Sequence, residues 1–329
     1  MQIKQKRPRV SGARSSGVAN LTVAVRTWSK RPYSQANGDD TTQLTIATCK
    51  RTLTGVNDSQ MTSRSGSIYI GIGGWTFEPW RGEFYPKGLP HAKELAYAAE
   101  RLTSIEINGT FYRTQTPATF RKWASEVPNG FKFAVKGPRF ATNRRVLKEA
   151  GDSIKRFLDS GVTELGDRLG PLLWQFAPTK KFDAADFGGF LKLLPVKFDG
   201  QMLRHVIEVR HDSFRLSEFI ALLRKFDMPV VYTDHAKYPN IADSTGKFIY
   251  ARLQRGKDTV RTAYPPNEIK AWAGRLRQMA EGKEPADLPR VAAPTERKPA
   301  PREVFAYVIH EGKIRAPAGA MALIEAVAE

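Results

Sequence analysis

The chain has almost no cysteine, few histidines, a shortage of acids and no long apolar run, and each shortage removes a class of protein. Cys49 is the single cysteine in 329 residues. It excludes an internal disulfide framework and a thiolate metal cluster, and it suits a reducing, cytoplasmic setting. Of the five histidines, His211, His235 and His310 fall near strand ends without a ligand spacing between them, while His91 and His205 read as structural or exposed. No window approaches the roughly 18 consecutive apolar residues that span a bilayer, so no membrane partner is expected. Acids number 33 against 52 Lys and Arg, a net charge of +19. Such a surplus attracts polyanions, anionic metabolites or an acidic surface, or is a generally basic surface with no specific partner.

What the chain does contain is unevenly distributed. Residues 1–66 hold eleven Lys or Arg against three acids, with much Ser, Thr, Gly and Asn and only short apolar stretches. That composition predicts a disordered basic extension. It also has the look of an organelle transit segment, or of sequence preceding a true start at Met61. From Ser67 onward, short β-branched runs alternate with helix-period segments. The strand candidates are Ser67–Gly73, Ser104–Asn108, Phe131–Lys136, Pro171–Phe176, Arg204–Val209, Pro229–Thr233, Phe248–Leu253 and Glu303–Ile309. Helical patterns cover Ala92–Leu102, Pro117–Val127, Val146–Ser160, Ala184–Leu194, Ser217–Phe226, Asn267–Glu281 and Ala318–Ala328. Pro239 and Gly246 break Ala236–Lys247, where no helix is expected. Eight βα repeats in about 260 residues match a single TIM-type (β/α)8 barrel domain over residues 67–329, with a doubly wound open sheet as the alternative. Gly282–Arg302, with five prolines, reads as a flexible loop inserted before the last strand.

A parallel barrel covers both faces of every strand, so polar residues on the inward parity near strand C-termini become site candidates. Counting by twos gives Glu106 and Asn108, then Lys136, Gln175, Glu208 with Arg210, Asp234 at its strand's end, and Tyr250, Arg252 and Gln254. Glu106 is the sharpest of these, because a buried carboxylate must find partners. Glu106, Glu208 and Asp234 supply acid/base or metal-binding oxygens; Lys136, Arg210 and Arg252 supply positive charge for a carboxylate or phosphate. A divalent metal could sit among the acids, although no ligand spacing supports one. Two loops add aromatics: Trp75, Trp80, Phe84 and Tyr85 as a lid or barrel cap, and Phe111-Tyr112-Arg113, which could set a phenol and a guanidinium over the pocket.

These blocks resemble the YecE-like family, also called the domain of unknown function 72 family. The matching runs are Gly74-Trp75 with Trp80-Arg81-Gly82 and Phe84-Tyr85-Pro86; Glu106-Ile-Asn-Gly-Thr-Phe-Tyr-Arg113; Phe133-Ala-Val-Lys136; Leu169-Gly-Pro-Leu-Leu-Trp-Gln175; and Glu208-Val-Arg-His211 with Ser213-Phe214. The likeness runs from about Ser67 to Glu281 and weakly beyond. It implies a TIM-type barrel with a distant likeness to endonuclease IV-type barrels, and no established reaction. The chain departs from the family pattern at two places. Gly71-Ile72-Gly73-Gly74-Trp75 stands where the family usually has Gly-Thr-Ser-Gly-Trp, and Tyr307-Val308-Ile309-His310-Glu311 where it has Tyr-Phe-Asn-Asn-Asp.

The leading expectation is an enzyme for a small anionic or phosphorylated substrate. Glu106 or Glu208 would be the general base, Lys136, Arg210 and Arg252 the anion clamps, and Asn108 and Gln175 the orienting amides. Trp75, Tyr112 and Arg113 would close over the ligand. The alternative is a nucleic-acid-binding or nucleic-acid-processing barrel that uses the basic surface and the aromatic loops. A non-catalytic small-molecule sensor would differ from the first only in lacking turnover.

Overall fold

The structure, a computed structural model, describes residues 65–294, 298–309 and 312–329. The basic stretch 1–66 lies outside these apart from Ser65 and Gly66, as do His310 and Glu311.

Eight strands form one parallel sheet: β1 (Ile68–Gly73), β2 (Ser104–Ile107), β3 (Lys132–Lys136), β4 (Leu169–Gln175), β7 (His205–Glu208), β8 (Val231–Thr233), β9 (Ile249–Leu253) and β10 (Val304–Val308). Their lateral order is β7-β4-β3-β2-β1-β10-β9-β8. The ends of that order meet, because the Ile207 amide donates to the Pro229 carbonyl at 3.0 Å beside a parallel bridge to Val230. An open doubly wound sheet would leave two unpaired edges here. This is a nearly closed TIM-type barrel. Outside it run α1 (Glu94–Ala99), α2 (Pro117–Ser125), the single turn α3 (Arg139–Thr142), α4 (Gly151–Leu158), α5 (Ala184–Leu193), α6 (Ser217–Lys225), α7 (Pro266–Ala280) and α8 (Ala316–Ala328). No helix among the described residues is long and apolar enough to cross a membrane.

Local chemistry sets the helix starts. Thr116 accepts from the Thr119 amide at 3.2 Å with Pro117 next in line, and Asp183 accepts from the Asp186 amide at 2.8 Å. Both are side-chain caps on otherwise orphan N–H groups. As the two breakers predict, no helix forms between β8 and β9. A small hairpin escaped the sequence reading: β5 (Lys197–Phe198) pairs with β6 (Gln201–Met202). Asp199 and Gly200 link them at φ 46° and 77°, the left-handed pair that a tight hairpin turn demands.

The two faces of each strand bury different things. Outward residues such as Ile105, Phe133, Trp174 and Ile207 join the large core under the helices. Inward residues form a smaller plug of Tyr69, Ala134, Leu173, Val206, Val231, Phe248, Tyr250, Phe305, Tyr307 and Ile309. Tyr69 stacks on Phe305 at 4.9 Å, and Tyr250 packs on Tyr307 at 5.1 Å. The Ser104 and Tyr307 hydroxyls share a hydrogen bond of 2.7 Å, which satisfies both in a dry interior. β1 packs so tightly against β2 that a Cβ at Gly71 would lie 1.8 Å from the Ser104 carbonyl oxygen.

The Gly282–Arg302 insertion is pinned along its described part. Buried Asp243 accepts from the Val291 and Ala292 amides at 2.8 and 3.0 Å, and the Ala242 amide donates to Pro289 at 2.9 Å. The irregular segment after β8 thus finds its backbone partners in the equally irregular insertion.

Candidate functional site

Above the aromatic plug, near the C-terminal ends of the strands, the inward positions turn charged. Lys136 ends β3, Gln175 β4 and Glu208 β7, while Glu106 and Arg252 lie one residue before the ends of β2 and β9. All five are buried, and Glu106 and Glu208 retain 0% and 1% of their surface. Arg252 joins the two acids. Its Nε and Nη2 donate to Glu106 Oε2 and Oε1 at 3.1 and 3.0 Å, and its Nη1 donates to Glu208 Oε2 at 2.7 Å. The Tyr250 hydroxyl adds a 2.7 Å bond to Glu106 Oε2. Glu208 further accepts from Gln175 Nε2 at 2.7 Å and from Arg210 Nε at 2.9 Å. The guanidinium fork matches a carboxylate edge, so one Arg can hold one acid bidentately and still reach a second.

Burial and charge compete across this lattice. Burial alone would raise the Glu208 carboxyl, but Arg252, Arg210 and Lys136 outweigh it and hold the group at about 2. Burial likewise works against the Arg252 cation, yet Glu106 and Glu208 raise it above its ordinary value. Glu208 is therefore a poor general base at neutral pH, because its proton affinity is low and each oxygen already accepts from a cation. Glu106 is also fully engaged.

Lys136 behaves differently. Burial first, and then the positive charge of Arg252, pull its amine down to about 8, against the attraction of Glu208 and Glu106. Its ammonium makes no hydrogen bond or ion pair within 4.0 Å among the described residues. It sits over the Phe111 ring, 4.3 Å from the centroid. The local cause is visible: the Thr110 hydroxyl donates to the Lys136 carbonyl at 2.6 Å, which draws the 3-10 turn Gly109–Phe111 across the end of β3. The site thus holds one buried cation without an ion-pair or hydrogen-bond partner among the described residues, beside the interlocked Glu106, Glu208 and Arg252; Gln254 Nε2, at the same end of β9, is likewise buried without a partner there.

The other residues expected at the site are more scattered. Asn108 is at the mouth, half-buried, with its Nδ2 3.3 Å from the Glu106 carbonyl it donates to. A Cβ built on Gly73 would meet that same Nδ2 and Ile309 Cγ2, each at 3.0 Å, so Gly73 and Ile309 fit each other. Arg210 reaches inward to Glu208 and lies 4.5 Å from the Tyr238 ring centroid. Tyr238 in turn stacks on His235 at 4.2 Å, a pair with no signal in the sequence because both come from the irregular segment after β8. Tyr112 and Arg113 are exposed, Tyr112 to 69%, and Arg139 sits 5.9 Å above the Tyr112 ring. Trp75 packs edge-on against Trp123 of α2 at 5.1 Å and near outward Phe133 at 6.3 Å, so it joins the outer layer. Buried Trp80 and Tyr85 likewise belong to a packed cap, with Trp80 Nε1 donating to the Lys313 carbonyl at 2.7 Å.

Asp234 stands apart from the lattice. Thr233, not Asp234, takes the inward parity of β8, and its hydroxyl donates to Gln254 Oε1 at 2.6 Å. Asp234 shares the parity of Tyr232, which packs on Trp272 of α7 at 5.6 Å. Its carboxylate accepts from the Gln254 amide and, at 3.0 Å, from the Tyr264 hydroxyl. Burial raises it to about 6, although both donors favour the charged form. No group of three or more His, Cys, Asp or Glu among the described residues is placed to hold a metal ion.

A family model described as a protein of unknown function, DUF72, matches residues 69–329. The chain belongs to the DUF72 family. Solved DUF72 structures agree in fold. A family member from Thermotoga maritima superposes with a TM-score of 0.61 at 20% identity, over 80% of this chain and 100% of that one. Another from Enterococcus faecalis gives 0.60 at 16%, over 80% and 96%. A curated relative, the UPF0759 protein YunF of Bacillus subtilis, is 28% identical over 116 residues, 34% of this chain. That match spans 40% of the relative's length. Within this DUF72 barrel, the Glu106–Phe111 block carries one of the two acids of the lattice, the hydroxyl that fixes the turn, and the ring under Lys136.

Proposed function

We propose that this DUF72 barrel is a cytosolic enzyme acting on a small anionic substrate at its C-terminal mouth, with Lys136 as the working group. One observation carries the reading. Lys136 is a buried cation with unclaimed donors, whereas Glu106, Glu208 and Arg252 are locked to one another. A buried ammonium without an acceptor is costly, and an anionic ligand supplies what it lacks. An amine at about 8 is also poised to give and take a proton near neutral pH. In this reading the lattice shapes the pocket and tunes Lys136, while Arg210 and Asn108 orient the ligand.

Calorimetric titration with malonate at low ionic strength tests the proposal. Native protein binds it, and Lys136→Met weakens binding at least tenfold. Affinity also falls as pH rises through about 8, as Lys136 gives up its charge. Equal affinity in the variant overturns the reading. A second reading, nucleic-acid binding, draws on exposed Tyr112 with Arg113 and Arg139 beside it, a stacking ring flanked by cations. Filter binding of single-stranded DNA at two salt concentrations decides it, since phosphate-driven affinity falls steeply with salt.

A further inference from the structure

A second cationic site lies at the opposite end of the barrel. Lys247 precedes β9, Arg302 precedes β10, and Gly246 packs on Pro229 ahead of β8, so the strand N-termini frame it. Here Arg224, Ser244, Thr245, Lys247, Lys298 and Arg302 surround a cleft of about 350 Å³. That volume is within the roughly 300–1,000 Å³ of small-molecule sites. Four cations line it and, among the described residues, no carboxylate does. Asp243 stands 4.0 Å behind Arg224, and Asp227 is 3.2 Å from Lys247. Lys298 and Arg302 have no acidic partner within 4.0 Å among the described residues.

Arg302 shows that the cluster is more than a loop staple. Its Nη1 donates to Ser244 Oγ and its Nη2 to the Gly282 carbonyl, which ties the insertion to the barrel base. Its Nε is buried and donates to no group among the described residues. Arg168 Nε is another buried N–H without a partner among the described residues, so it is the position of Arg302 in the wall of a cationic cleft, rather than the orphan donor alone, that points to an anion. Four converging positive charges, two of them guanidiniums, with two hydroxyls alongside suit a phosphate group better than a monoanionic carboxylate.

We propose that this cleft at the base of the barrel binds the phosphate group of a small phosphorylated ligand. The site is independent of the mouth. Inorganic phosphate and ATP, titrated calorimetrically into full-length Lys136→Met protein, read the base without interference from Lys136. Phosphate binds this protein at one site. Adding Lys247→Gln and Lys298→Gln, both at exposed positions whose loss leaves the fold intact, weakens binding at least tenfold. Arg302→Gln weakens it further. ATP binding tighter than phosphate marks a nucleotide as the source; equal affinities mark free phosphate. The proposal is overturned if Lys136→Met protein binds neither probe, or if the double lysine change leaves affinity within twofold.

Discussion

Replacing Arg252 by Met tests the central lattice most directly, because it removes three donors from two carboxylates at once. The guanidinium makes three hydrogen bonds of 2.7–3.1 Å to acids with no more than 1% of their surface exposed. Glu208 keeps Arg210 and Gln175 in the variant, whereas Glu106 keeps only the Tyr250 hydroxyl. Breaking one buried pair typically costs about 3–5 kcal/mol, so Arg252→Met is expected to lose at least that at pH 7. Against a typical total of about 5–15 kcal/mol, the loss is large. The folded variant can relieve itself by taking up a proton that the unfolded chain does not hold. Stability then falls as pH rises, and the gap to the native protein narrows by about 1.4 kcal/mol for each pH unit lowered between 7 and 5. Titration of Asp234 is common to both proteins and cancels in the difference. Urea unfolding at three pH values in that window measures the gap. Adding Glu106→Gln should recover much of the loss at pH 7, since the orphan charge is gone. A cost below about 1 kcal/mol, or a gap independent of pH, refutes the lattice as described.

Three further expectations follow from individual residues. Lys136 is lowered from 10.5 to about 8, so the unfolded chain binds more protons between those values and the cost of burying the ammonium is complete below pH 8. Lys136→Met should therefore raise stability at pH 7, by up to about 3 kcal/mol, an activity-for-stability exchange visible in urea midpoints. Asp234, raised to about 6, contributes stability that is present below its unfolded value of 3.8 and lost as pH rises through about 6. Carbon NMR should find its titration midpoint near 6, and Tyr264→Phe should move it higher by removing a donor to the charged form. Gly73→Ser should destabilise the fold by about 1–3 kcal/mol, because its Cβ would meet Ile309 Cγ2 at 3.0 Å, and Ile309→Ala should restore much of that loss. Additive costs in the double variant would show that the two positions do not interact.

Much of the barrel could be read from local chemistry, and the misreadings have local causes. Each of the eight barrel strands falls within or beside its predicted run, because a strand buried on both faces needs a continuous apolar stretch that side-chain types announce. Glu106, Lys136, Gln175, Glu208 and Arg252 were picked out by parity, and parity carries through any regular strand. Parity failed at Asp234, where β8 is only three residues long and the count continues past its end. It could not locate Trp75 either, since a loop side chain has no periodicity to follow and went to the nearest apolar surface, Trp123. Tyr238 and His235 lay in a stretch without pattern, and the partners of Asp243 lie about fifty residues further along the chain.

By itself the sequence determined that the chain makes eight covered strands and that polar groups share one end of them. The spacing of apolar and β-branched residues is a property of each segment alone. Only the closed barrel decided what those polar groups are. Bringing β2, β7 and β9 to a common axis let one guanidinium neutralise two carboxylates, and that left a lysine from β3 without an ion-pair or hydrogen-bond partner among the described residues. Pairing of charges depends on distances between residues up to 146 positions apart, and no local pattern encodes those. The same holds at the base, where four cations from three segments line one cleft only when the strand N-termini are gathered.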